Sequence, residues 1–221
     1  MRGVDRRAVV KQQQTICGLY AITPDLADTN ELLRVVRLAL QGGARVLQYR
    51  NKAAGAELKS QQAQALRELT REFEATFIVN DDVQLAKRVD ADGVHLGGED
   101  GSVAFARTLL GTDRLIGVSC YNRASLALEA VRQGADYVAF GAFFSSRVKP
   151  EAVPADVQLL EAARGELNVP IVAIGGVTQQ NGTSLIEAGA DALAVITALW
   201  NAPDIEASAR EFSTLFSRTK Q

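Results

Sequence analysis

The sequence predicts an α/β protein, a single-domain (β/α)8 TIM barrel with a short polar N-terminal extension. Three observations lead there. Short apolar runs alternate with stretches of helical spacing along almost the whole chain. Helix-to-strand joins recur as Gly43-Ala44-Arg45, Ala91-Asp92-Gly93, Gly134-Ala135-Asp136 and Gly189-Ala190-Asp191. Their alanines lie 47, 44 and 55 residues apart, each close to two strand–helix units, so the joins precede the second, fourth, sixth and eighth strands. Gly-Ala-Asp is also ordinary helix-stop chemistry, with Gly at the C-terminal cap. An open doubly wound sheet is the alternative, but no Gly-x-Gly-x-x-Gly follows the first strand to favour it.

Residues 1–15 are polar and basic without sustained period and read as the extension, a frayed arm or a short extra helix; residues 16–221 form the barrel. The first strand is read over residues 19–23. A helix follows over 29–40, where Leu32, Leu33, Val36 and Leu40 share a face and Asp28 or Thr29 can cap the start. The second strand spans 45–49 and leads into an amphipathic helix, Ala56–Glu72. Further strands are read at Thr76–Asn80, Gly93–Leu96, 115–119, 137–141, 171–175 and 193–197, and the last helix at about 204–216. The pattern gives eight strands and eight helices in strict alternation. All five prolines fall in or beside loops, and no low-complexity tract divides the chain.

Composition narrows the function. The 221 residues carry 24 Lys+Arg against 26 Asp+Glu, a net charge of −2, which argues against general attraction to nucleic acid or anionic membrane. Cys17, Cys120 and the single histidine, His95, supply neither a disulfide framework nor a zinc ligand set. No apolar run reaches the roughly 18 residues of a membrane span, and the first residues lack a signal-peptide core. A cytoplasmic enzyme domain is expected.

In a (β/α)8 barrel, chemistry sits at the carboxyl ends of the strands. Those ends read Gln48-Tyr49-Arg50-Asn51-Lys52, Asn80-Asp81-Asp82, Ser119, Ser145-Ser146-Arg147-Val148-Lys149, Gly175-Gly176 and Ile196-Thr197, with Asp100 in the loop after the fourth strand. Gly175-Gly176 and Ile196-Thr197 follow strands seven and eight, where such barrels present backbone N–H groups to phosphate; Gly-Gly is also a plain tight turn. Arg50, Lys52 and Lys149 bring three cations to the same rim. Asp81 and Asp100 would repel a phosphate unless a divalent cation intervened, and Mg²⁺ takes one or two carboxylates plus phosphate oxygens. Each aspartate could instead cap a helix, Asp81 beside Asp82 and Asp100 before Ser102. His95 lies inside its strand and reads as packed and hydrogen-bonded. Cys120 has no second histidine to activate it. Phe143 and Phe144 could floor a heterocycle pocket, or one of them packs inward.

These residues resemble the thiamine phosphate synthase (thiamine-phosphate pyrophosphorylase) family from Gly18 to about Leu199. The marks are Tyr20-Ala21-Ile22-Thr23, Gln48-x-Arg50-x-Lys52, Asn80-Asp81, the run Ala91-Asp92-Gly93-Val94-His95-Leu96-Gly97, Ile116-Gly117-Val118-Ser119, Lys149-Pro150 and Ala173-Ile174-Gly175-Gly176. The resemblance implies condensation of 4-amino-2-methyl-5-hydroxymethylpyrimidine diphosphate with 4-methyl-5-(2-phosphoethyl)thiazole, giving thiamine phosphate and pyrophosphate. It implies that Gln48, Tyr49, Arg50, Asn51, Lys52, Asn80, Ser119 and Lys149 hold the pyrimidine diphosphate. Ser146, Arg147, Val148, Gly176, Ile196 and Thr197 would hold the thiazole phosphate, and Asp81 with Asp100 would hold Mg²⁺. Lys149, Arg50 and Lys52 would then stabilise the departing pyrophosphate in a dissociative substitution that needs no protein nucleophile.

The chain departs from the family pattern in three places. Gly98 stands where Gln is usual, Ser146-Arg147-Val148-Lys149 where Thr-x-Thr-Lys is usual, and Thr197 where Ser is usual. Val148 cannot donate to a phosphate, which implies altered thiazole-phosphate affinity. Two rivals stand beside this expectation: a thiazole tautomerase of the same barrel type and a non-catalytic phosphate-ligand binder. The partners expected are small phosphorylated molecules, with a homo-oligomer possible.

Overall fold

A computed structural model describes residues 16–97, 101–145 and 153–218; the expected N-terminal extension lies outside them. Eight parallel strands close into a barrel in chain order, with β8 returning to pair with β1. They are β1 (Gly18–Ile22), β2 (Val46–Tyr49), β3 (Thr76–Asn80), β4 (Gly93–Leu96), β5 (Leu115–Tyr121), β6 (Tyr137–Phe140), β7 (Ile171–Ile174) and β8 (Ala192–Val195). The described helices are α1 (Thr29–Gln41), α2 (Ala56–Glu72), α3 (Val83–Arg88), α4 (Val103–Leu110), α5 (Ala124–Arg132), α6 (Val157–Glu166), α7 (Gly182–Glu187), α8 (Thr197–Trp200) and α9 (Ile205–Arg218).

Strict alternation fails at the end, where β8 is followed by two helices. β8 stops at Val195, and Ile196 (φ −120°, ψ −85°) turns the chain into the short α8. The Trp200 indole N–H then donates to the Ile22 carbonyl at 2.6 Å, which ties α8 across the seam where the barrel closes. Helix starts follow capping chemistry. Asp28 accepts from the Asn30 and Glu31 amides at 2.8 and 3.1 Å, and Ser102 accepts from the Phe105 amide at 3.0 Å.

The period of two along each strand sorts side chains into two cores. Leu19, Leu47, Phe77, Val94, Ile116 and Leu193 point outward and pack beneath the helices. Tyr20, Val46, Ile78, Tyr137, Ala139 and Ala194 point into the lumen as a separate cluster. Gly117 makes room there, since a Cβ at this position would sit 2.0 Å from the Tyr137 ring.

The repeated join does more than stop a helix. Asp92 donates its backbone N–H to the Phe77 carbonyl at 2.9 Å and accepts the Phe77 N–H on its carboxylate at 2.8 Å. Asp136 holds Ile116 in the same way, at 2.7 and 2.9 Å, and Asp191 holds Ile171, at 2.8 and 2.7 Å. An arginine from the helix before the clasped strand completes each set. Arg67 of α2 grips Asp92 with two bonds of 2.8 and 3.0 Å, Arg107 of α4 meets Asp136 at 2.5 Å, and Arg164 of α6 meets Asp191. These clasps pin β3 to β4, β5 to β6 and β7 to β8 at their amino-terminal ends. The first join carries Arg45 in place of the aspartate and has no such clasp.

The Arg67–Asp92 pair is buried on both sides, whereas the Arg34–Glu31 pair of α1 is exposed. Removing one partner of a buried pair strands a charge. Arg67→Ala is therefore expected to cost about 3 kcal/mol in urea unfolding, while Arg34→Ala leaves the midpoint nearly unchanged. Equal midpoint shifts for the two variants would contradict this assignment.

Candidate active site

The carboxyl-terminal strand ends surround a cavity of ≈ 1160 Å³ whose floor includes Tyr20, His95 and Ala139. Beside it lies a polar recess of ≈ 100 Å³ lined by Arg50, Lys52, Asn80, Asp81, Ser119 and Tyr121. The cavity exceeds what one drug-sized ligand requires, about 300–1,000 Å³.

Strand alternation divides the run that leaves β2. The Gln48 side chain points into the lumen, where its Nε2 donates to the Tyr20 hydroxyl at 2.8 Å. Arg50 is fixed through its backbone: its N–H donates to Thr23 Oγ1 at 2.8 Å, and that hydroxyl donates back to the Arg50 carbonyl at 2.9 Å. Asp25 stands 3.6 Å from the Arg50 guanidinium and accepts the Lys52 amide at 3.0 Å. Tyr49 and Asn51 do not bring their side chains to the mouth. The Tyr49 hydroxyl donates to Gln62 at 2.9 Å, and Asn51 donates to the Leu26 carbonyl at 2.9 Å and to Gln62 at 3.1 Å. They hold the loop that carries Arg50 and Lys52.

At the end of β3, Asp81 adopts a left-handed backbone (φ 61°). Its carboxylate accepts from Asn80 Nδ2 at 2.6 Å and faces the Gly97 amide at 3.4 Å. Helix capping does not explain this residue, because Asp82 is the cap of α3 and accepts the Leu85 amide at 2.8 Å. Aspartate adopts this conformation more readily than most side chains, and here it turns the chain out of β3 at the mouth.

β5 runs two residues beyond its expected end, with a register shift between Ser119 and Tyr121 that leaves Cys120 as the extra residue. Ser119 thus faces the mouth, and Cys120 is buried in the outer core. Burial pushes the Cys120 thiol up to about 12, so it is no nucleophile at neutral pH. His95 is packed and hydrogen-bonded as expected: Nδ1 lies 3.1 Å from the Tyr137 hydroxyl and Nε2 lies 2.9 Å from Ser119 Oγ. Burial pushes its imidazole down to about 4, which keeps the ring neutral.

Across the mouth, Gly175 and Gly176 have φ values of 99° and 64°. A Cβ on Gly175 would lie 2.4 Å from Ala142 Cβ, and one on Gly176 would lie 2.6 Å from the Ser145 carbonyl. Glycine is required so that the chain leaving β6 can cross the top of β7. Gly176, Ile196 and Thr197 line the cavity. Phe143 and Phe144 instead pack into the outer core. Gly98, Asp100, Ser146, Arg147, Val148 and Lys149 lie outside the described residues.

Among the described residues, Gln48, Arg50, Lys52, Asn80, Asp81, Ser119, Gly176, Ile196 and Thr197 thus meet at one mouth. Sequence reading missed Asp25 and Tyr137, and it named Tyr20 only as a mark of the resemblance. Asp25 follows Pro24 in what reads as a plain loop, and strand period shows which way a tyrosine faces but not what it bonds. No group of three or more His, Cys, Asp or Glu side chains able to hold a metal occurs among the described residues. No described helix is long and apolar enough to cross a membrane.

The fold and this mouth define a class, the (β/α)8-barrel enzymes that handle small anionic substrates at their carboxyl-terminal face. The thiamine monophosphate synthase family profile matches residues 19–199. A thiamine-phosphate synthase of Methylobacillus flagellatus is 57% identical over 202 residues, 91% of this chain and 96% of the relative. One from Nitrosospira multiformis is 49% identical over 222 residues, 99% of this chain and 95% of the relative. The solved thiamine phosphate pyrophosphorylase of Pyrococcus furiosus superposes with a TM-score of 0.84 at 34% identity, covering 93% of this chain and 98% of that one. The chain belongs to the thiamine monophosphate synthase family. The names of these relatives support the synthase expectation and neither of its two rivals.

Given its burial, Cys120 is expected to resist iodoacetamide at pH 8 in the native protein and to react once urea unfolds it. Peptide mass spectrometry reads the modification, and fast native labelling at Cys120 would contradict the site as described.

Proposed function

We infer that this chain condenses the pyrimidine diphosphate with the thiazole phosphate, forming thiamine phosphate and releasing pyrophosphate. The observation that carries the reading is the polar recess, where Arg50, Lys52, Asn80 and Asp81 converge at strand ends of a chain belonging to this family. The C–O bond between the pyrimidine methylene and the diphosphate breaks, and its electron pair leaves with pyrophosphate. The thiazole nitrogen then uses its lone pair to form the new C–N bond. Arg50, Lys52 and Lys149 neutralise the charge that grows on the leaving group. Gln48, Asn80 and Ser119 hold the pyrimidine diphosphate in place, while Tyr49 and Asn51 support the loop beneath it. Gly176, Ile196 and Thr197, with Ser146, Arg147 and Val148, hold the thiazole phosphate close to the reacting carbon.

Mg²⁺ is supported by Asp81, whose hard carboxylate oxygens lie beside the recess. Asp81 and Asp100 would hold the ion, whose chemistry when bound is neutralisation of diphosphate charge. The enzyme acts on free small molecules in the cytoplasm.

The test follows thiamine phosphate by chromatography and pyrophosphate by a coupled assay. Lys149→Ala and Arg50→Ala are each expected to lower kcat on the order of 10²-fold or more, and Cys120→Ala to stay near the unmodified rate. A chelator should abolish turnover and Mg²⁺ restore it, whereas a tautomerase would survive chelation. Near-normal turnover in the Lys149 variant would overturn the reading.

A further inference from the structure

Five side chains from five strands form one continuous hydrogen-bonded chain through the lumen. Gln48 Nε2 lies 2.8 Å from the Tyr20 hydroxyl, which lies 2.9 Å from the Tyr137 hydroxyl. Tyr137 in turn lies 3.1 Å from His95 Nδ1, and His95 Nε2 lies 2.9 Å from Ser119 Oγ. Tyr20 and Tyr137 are 1% and 0% exposed, so both hydroxyls look chiefly to protein partners.

The protons can be placed one at a time. An amide NH₂ can only donate, so Tyr20 accepts from Gln48. The hydroxyl proton of Tyr20 then has Tyr137 as its acceptor, and the proton of Tyr137 has His95 Nδ1. A neutral imidazole with Nδ1 accepting carries its own proton on Nε2, which donates to Ser119 Oγ. That leaves the Ser119 hydroxyl proton free to point into the mouth, where this side chain lines both the cavity and the recess. The opposite direction fails at its far end. If Ser119 donated to His95, the Tyr20 oxygen would receive protons from both Gln48 and Tyr137, and its own buried O–H would have no acceptor. Folded proteins rarely leave a buried donor in that state. A Gln48 amide presenting Oε1 would reverse every bond, so the direction of the whole chain is set at Gln48.

We propose that Gln48, Tyr20 and Tyr137 are positioning residues that hold His95 as the Nε2–H tautomer and thereby aim the Ser119 hydroxyl proton outward at the substrate. The tautomer depends on the interior geometry alone. Its use, donation to the leaving diphosphate, rests on the functional reading above.

Because His95 is the single histidine of the chain, ¹⁵N-histidine labelling gives one pair of imidazole nitrogens to assign. Long-range ¹H–¹⁵N correlation of the full-length protein, without substrate at neutral pH, is expected to show a pyridine-like Nδ1 and a pyrrole-like Nε2. A pyrrole-like Nδ1, averaged shifts or a doubly protonated ring would overturn the proposal. In Gln48→Leu, which removes the fixed donor, the two shifts should move toward each other; unchanged shifts would remove Gln48 as the source of direction. If that variant does not fold, the unmodified protein still decides the tautomer. The expected tautomer in a protein that makes no thiamine phosphate would sink the functional reading and leave this inference standing. A reversed tautomer in an active protein would do the opposite.

Discussion

Inside a closed eight-stranded barrel, a polar side chain cannot reach past the strands for a partner; it finds one across the lumen or goes without. The rest of this molecule follows from how that constraint is met. Gln48, Tyr20, Tyr137, His95 and Ser119 satisfy one another in sequence, and the two tyrosine rings fill the lower lumen. Gly117 is needed for the Tyr137 ring to fit. Beside these rings, Ala139 and Ala194 are too small to fill the barrel, so the lumen opens as a cavity. Floor and cavity are one arrangement: bulky hydroxylated rings set among small residues, with two polar ends, Gln48 and Ser119, delivered to the mouth.

The two faces of the barrel divide the labour. At the amino-terminal face, Asp92, Asp136 and Asp191 each clasp a neighbouring strand and pair with an arginine from a helix. Charge there is neutralised inside the protein. At the carboxyl-terminal face, Arg50 has an aspartate 3.6 Å away, a looser approach than the 2.8 Å of Arg67 to Asp92. Guanidinium and ammonium groups held by loop backbone, rather than by tight bidentate pairs, remain open to an anionic ligand. The near-zero net charge conceals this difference between the two ends.

Much of this was legible in the sequence. The apolar runs located all eight strands, and the spacing of the Gly-Ala-Asp joins revealed the half-frequency repeat that the clasps explain. The clasps themselves were not legible, because each needs an arginine some 25 to 29 residues away in the chain. The short α8 was missed because its cap, Ile196, continues the apolar run of β8 and carries the expected strand on to Thr197. At the mouth, Arg50, Lys52, Asn80 and Asp81 could be found by reading strand ends. Tyr49 and Asn51 came along with their neighbours, and only the strand's alternation separates them. Asp25, Tyr20 and Tyr137 depend on contacts across strands, which a linear pattern does not carry.

The central claim is that substrates engage the carboxyl-terminal mouth while the amino-terminal clasps serve the fold. Amide hydrogen exchange, with and without the pyrimidine diphosphate and thiazole phosphate together, tests it most directly. Protection is expected at Asn80-Asp81, at Ser119 to Tyr121, at Gly175-Gly176 and at Ile196-Thr197, with no change at Phe77, Ile116 or Ile171. Protection confined to those three clasped amides, or none at the strand ends at saturating substrate, would contradict the account.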